Sequence, residues 1–132
     1  MRSCVMFNSH VGPVGGGELW AYQIASALKK HFDFRLYEPV AQNQEFFKYY
    51  NLNGFIPRTH FVSSPDIYVH YSTHVLFNPK GKQNILITCF PRKDWKQEIV
   101  HKYDKIITLS EYSRDWVKKL WNRKAQLVFP AI

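Results

Sequence analysis

The sequence predicts an α/β domain: an open, mostly parallel β-sheet with helices on both faces. Three observations carry this. Strand-length apolar runs alternate with helix-length amphipathic stretches along the whole chain. The first such pair is joined by a glycine-rich turn and followed by a second strand pattern, a βαβ unit of the length a right-handed crossover needs. Asn84 to Phe90 (NILITCF) is a near-continuous apolar run, the signature of a parallel strand buried on both faces.

Taken in order, Arg2 to Phe7 (RSCVMF) reads as a buried first strand bounded by Asn8 and Ser9. The glycine loop follows, with Gly12, Gly15, Gly16 and Gly17. A helix then runs from about Gly17 to His31, with Leu19, Tyr22, Ile24, Ala25, Leu28 and Phe32 near the helical period and Lys29, Lys30 and His31 at its C-terminal end. Phe34 to Tyr37 returns as the second strand. Between Pro39 and Pro65 the pattern weakens: Gln44 to Tyr50 suits a short helix, Asn51 to Gly54 a turn and His60 to Val62 a minor strand. Phe46, Phe47, Tyr49, Tyr50, Phe55 and Phe61 crowd this part and are expected mainly in the core.

Asp66 to Tyr71 is a further strand, and Ser72 to Lys82 a connection marked by Asn78, Pro79 and Gly81. Pro91 and Arg92 close the NILITCF strand, and Trp95 to Lys102 reads as a short helix. Asp104 to Leu109 is a strand, Ser110 caps a helix from Glu111 to Asn122, and Gln126 to Phe129 is a last strand closed by Pro130. The resulting architecture is Rossmann-like, with residues 1–132 as a single domain.

Length and composition bound the partners. A chain of 132 residues buries roughly two-thirds of its unfolded surface, enough for a core without covalent staples. Cys4 and Cys89 lie in different apolar runs and read as buried thiols of a cytosolic protein. No apolar run approaches the roughly twenty residues of a membrane span. The formal charge of +8 biases the surface toward anions, namely nucleotides, nucleic acid or anionic lipid headgroups. No recognised nucleic-acid motif accompanies that charge, so no nucleic-acid partner is expected.

In such sheets ligands bind beyond the carboxyl ends of the strands, so four loops become candidate walls of one crevice: Asn8 to Gly17, His70 to His74, Pro91 to Asp94, and Ser110 to Tyr112. Gly15, Gly16 and Gly17 leave peptide N–H groups open at a helix N-terminus, where a phosphate is the natural guest, although the same glycines also suit a plain tight turn. A dinucleotide fingerprint from Gly15 meets Trp20 where its third glycine should be, while Glu38 stands where a ribose-binding acid would. A P-loop fails, because Glu18 and Leu19 follow Gly17. His70 and His74 are four apart but straddle a strand end, and no further ligand is evident, so no metal site is expected. His70 is the candidate general base at a strand tip. Ser110 reads as an N-cap whose helix N-terminus, with Glu111, also suits an anion; Arg92 and Lys93 could face phosphate.

The loop and helix GGGELWAYQIASALKK resemble the opening of the N-terminal domain of glycosyltransferase family 4, the retaining GT-B-type enzymes that use nucleotide sugars. YDKIITLSEYSRDWVKKLW resembles that family's strand, serine and helix segment, and QLVFPAI its closing strand and proline. The resemblance spans nearly the whole chain except Pro39 to Pro65. It implies half of a GT-B architecture whose N-terminal domain mainly binds the acceptor, a sugar or lipid-linked sugar. A C-terminal donor-binding domain or chain grips the nucleotide sugar, and no metal or other cofactor is required.

By the resemblance, Gly15, Gly16 and Gly17 lie beside the donor diphosphate. Glu18, His74, Arg92, Lys93, Ser110 and Glu111 are expected to line the cleft, with His70 as catalytic candidate. Where many relatives carry a histidine after the strand matching NILITC, this chain has Phe90, Pro91 and Arg92. The second domain would begin near Ile132, so the chain alone is expected to be inactive and to hold nucleotides poorly. Docking on an anionic membrane surface is a further expectation, motivated by charge and aromatic content. The competing reading is a non-catalytic Rossmann-like module that binds a nucleotide or another anion.

Overall fold

The computed structural model describes residues 1–8, 16–38, 56–59, 64–72 and 74–128. Seven strands form one sheet: β1 (Ser3–Asn8), β2 (Asp33–Tyr37), β3 (Arg58–Thr59), β4 (Ile67–Tyr71), β5 (Gln83–Thr88), β6 (Lys105–Thr108) and β7 (Gln126–Leu127). Their spatial order is β3-β2-β1-β4-β5-β6-β7, and every neighbouring pair is parallel. The described helices are α1 (Gly16–His31), α2 (Gln97–Val100) and α3 (Glu111–Trp121). The sheet is open and helices lie on both faces, the architecture the sequence predicts.

Burial follows position in the sheet. β1 and β4 are central and buried along almost their whole length, because both of their faces are covered. β2 alternates instead: Phe34 and Leu36 pack under α1 while Arg35 faces solvent. One core layer joins Cys4, Met6, Ile67, Val69 and Ile87 to Ala21, Tyr22 and Ala25 of α1. The other joins Phe7, Tyr68, Leu86 and Ile106 to Trp95, Val100, Val117 and Trp121 on the side of α2 and α3. Burial pushes the Cys4 thiol up to about 11, so it is a neutral core group.

Several element ends differ from expectation. The minor strand forms at Arg58–Thr59; residues 60–63 lie outside the described residues, as do the expected helix at 44–50, its aromatic cluster, and Phe129 and Pro130. β5 ends at Thr88, two residues before Phe90. The short helix covers only Gln97–Val100; Trp95 lies before it and stacks on Trp121 at 5.8 Å between ring centroids. At Gly81 an added Cβ would stand 2.7 Å from the Tyr68 amide nitrogen, so the approach to β4 requires glycine. Asn84 braces this turn, accepting from the Gly81 N–H at 2.8 Å and donating to the Gly81 carbonyl at 3.0 Å.

On the α1 side, β5 to β7 are covered among the described residues only by the flank of α1. This leaves an apolar groove of about 360 Å³ whose lining includes Trp20, Ile24, Leu28, Ile85, Ile107 and Val128. It lies along the sheet face rather than at the strand ends, and it has almost no polar groups with which to orient a reacting molecule.

Candidate functional site

The strand order reverses between β1 and β4: α1 packs on one face, whereas α2 and α3 pack on the other. Ligands of open parallel sheets bind outside the carboxyl ends of the strands at such a switch point. α1 opens there with Gly16 and Gly17 in helical conformation, and its first-turn amides have no carbonyl within the helix to bond. Gly15 lies outside the described residues, and of Glu18 only the helical backbone is described.

Beneath this helix start, Asn8 at the end of β1 donates from Nδ2 to Glu38 Oε2 at 2.7 Å, and the Tyr22 hydroxyl donates to the same oxygen at 2.9 Å. Glu38 is only 4% exposed. The expectation of a ribose-binding acid is therefore corrected: this carboxylate ties α1 to the ends of β1 and β2 and is turned away from solvent.

His70 is also placed differently from a general base at an open strand tip. It is fully buried, with Phe7 stacked on its ring at 4.8 Å. Nε2 lies 2.8 Å from the Val75 carbonyl oxygen, which only accepts, so Nε2 carries the proton; Nδ1 then accepts from the Tyr68 hydroxyl at 2.9 Å. Both nitrogens are thereby occupied. Burial lowers its pKa from 6.5 to about 4, so the ring is neutral and structural near neutral pH. His74 is exposed, in a turn where the Ser72 hydroxyl accepts from the His74 and Val75 amides at 3.1 Å each. Histidines 70 and 74 thus do not converge. Among the described residues no group of three or more His, Cys, Asp or Glu side chains is placed to hold a metal ion, and no helix is long and apolar enough to cross a membrane.

The third and fourth loops do come together. Arg92 donates from Nε and Nη2 to the two carboxylate oxygens of Asp94 at 2.9 and 3.0 Å, a planar paired arrangement that holds Asp94 below the usual carboxylate range. Lys93 and Glu111 are exposed. Ser110 caps α3: its Oγ accepts from the Ser113 N–H at 3.1 Å, and the Ser113 hydroxyl donates to the Cys89 carbonyl, fastening the helix start to the end of β5. Replacing Ser110 by alanine is expected to cost about 1 kcal/mol in urea unfolding, through loss of the cap.

Along α3, Tyr112, Trp116 and Leu120 recur every four residues and form one stripe. With Phe90, Pro91, Arg92, Lys93 and Asp94 they line a groove of about 510 Å³. Searches with the chain against protein-family models, curated proteins and solved structures find no match. The groove therefore stands on its own geometry. The sequence pointed to the 91–94 loop, with Arg92 and Lys93, and to Tyr112 as walls of a crevice, but not to Phe90 or Trp116. The available signal was the four-residue spacing of Tyr112, Trp116 and Leu120, each one position before the buried Ser113, Val117 and Trp121.

Proposed function

We propose that this chain is the acceptor-side N-terminal domain of a GT-B-type, retaining glycosyltransferase that uses a nucleotide sugar and works with a C-terminal donor-binding domain or chain. The observation that carries the reading is the opening of α1 on Gly16 and Gly17 beside the β1/β4 switch point. When a glycosyl group leaves a nucleotide sugar, its bond to the terminal phosphate oxygen breaks and negative charge builds on the departing diphosphate. Fixed N–H groups and the positive end of a helix dipole stabilise that charge without reorganising. Two glycines at this helix start leave the peptide groups accessible to it.

The alternative is a non-catalytic Rossmann-like module that binds a nucleotide or another anion; its dinucleotide form loses a ribose ligand with the burial of Glu38. Ser110, Glu111, Arg92 and Lys93 would line the acceptor side of the cleft. The net charge of +8 favours an anionic membrane surface beside a lipid-linked acceptor, on the cytoplasmic side. The test is glycosyl transfer to sugar acceptors, followed by mass change, with the 132-residue chain alone and with a C-terminal GT-B domain fused or added. Transfer only in the combined form is expected; full transfer by the chain alone, or none in either form, overturns the proposal.

A further inference from the structure

We propose that the groove between the 90–94 loop and α3 binds a neutral pyranose ring, with Trp116 and Tyr112 as its stacking platform. The assignment of that sugar as the acceptor rests on the transferase reading; the binding itself does not. Phe90 and Tyr112 are 64% and 63% exposed and Trp116 is 37% exposed, an unusual concentration of open rings around one concavity. The Tyr112 and Trp116 ring centroids stand 6.1 Å apart with planes inclined at 59°, forming an angled cradle. The apolar C–H face of a pyranose covers aromatic faces of this kind and leaves its equatorial hydroxyls at the rim.

The Arg92–Asp94 pair at that rim suits the hydroxyls of a sugar. A hydroxyl both donates and accepts, and the Arg92–Asp94 pair offers a guanidinium and a carboxylate side by side. Because Asp94 already balances Arg92, the pair presents little net charge. Lys93 lines the groove with no acidic partner among the described residues, and the Lys119 ammonium stands over the Trp116 ring, 5.0 Å from its centroid, so positive charge remains beside the pair. Concavity separates this surface from a membrane-docking patch, in which aromatic side chains protrude into the headgroup layer.

The test is saturation-transfer NMR of the 132-residue chain with methyl α-glucoside, methyl β-galactoside, methyl α-mannoside, N-acetylglucosamine and maltotriose. Saturation of the ring C–H protons of at least one of these is expected. Trp116→Ala weakens that binding about tenfold and Trp116→Phe largely restores it, since a partly exposed platform contributes through its ring face. Asp94→Ala, which breaks the Arg92 pair, weakens it as well. Near-native circular dichroism of each variant separates lost contact from lost fold. No transfer to any of the sugars, or transfer unchanged in Trp116→Ala, overturns the proposal. So does Trp116-dependent sedimentation with phosphatidylglycerol vesicles in the absence of sugar binding. Sugar binding without diphosphate contact at Gly16 and Gly17 keeps the groove and removes the transferase reading.

Discussion

Folding stability is expected to fall by about 3 kcal/mol as the pH drops from 6.5 to 4, with His70 as the main single cause. The folded ring resists protonation because it is buried under Phe7, a penalty that the Val75 carbonyl, which favours the charged ring, only partly offsets, whereas the unfolded chain takes up the proton near the ordinary value of 6.5. The unfolded state therefore binds more protons in this window. The contribution is fully present above 6.5 and is lost as the pH falls toward 4. Urea unfolding at a series of pH values measures the slope. His70→Leu should flatten it while lowering stability at pH 7, because the Tyr68 hydroxyl and Val75 carbonyl lose their partner, at about 1–3 kcal/mol for each buried group left unsatisfied. An unchanged slope in His70→Leu would show that other groups carry the acid sensitivity.

Trp121→Ala carries the larger cost at neutral pH, about 3–5 kcal/mol. Trp121 is 1% exposed, stacks on Trp95 with planes 12° apart and closes the core layer beneath α3. Domains of this kind have only about 5–15 kcal/mol in total, so a substantially unfolded variant is expected at 37 °C. Trp121→Phe should cost less than half as much. It keeps an aromatic ring in the stack and removes an indole N–H that has no hydrogen-bond partner among the described residues. Thermal unfolding of the two variants side by side measures the difference. Equal losses would mean that the indole outline, rather than ring burial, determines the packing of α3.

The elements with the strongest patterns were legible in the sequence. β1, α1, β5 and α3 announce themselves through continuous apolar runs, helical periodicity and the Ser110 cap, which are local signals. His70 was misplaced because alternation along β4 says only that it shares a face with Tyr68. That this face is roofed by Phe77 and Tyr103 depends on contacts made from other parts of the chain. Glu38 was misassigned for the same reason: its partners Asn8 and Tyr22 lie 30 and 16 residues away in sequence. The aromatic groove was half legible. Tyr112 and Trp116 share a helix stripe by spacing alone, but their meeting with Phe90 and the Arg92–Asp94 pair depends on how β5 and α3 are joined through Ser113.

The most direct measurement of the central claim is an amide NMR titration of the 132-residue chain with UDP, GDP and NAD. The account predicts weak, saturable shifts with UDP or GDP centred on the Gly16 and Gly17 amides, and no tight binding of NAD. Tight NAD binding, or diphosphate shifts confined to residues away from the start of α1, would contradict it.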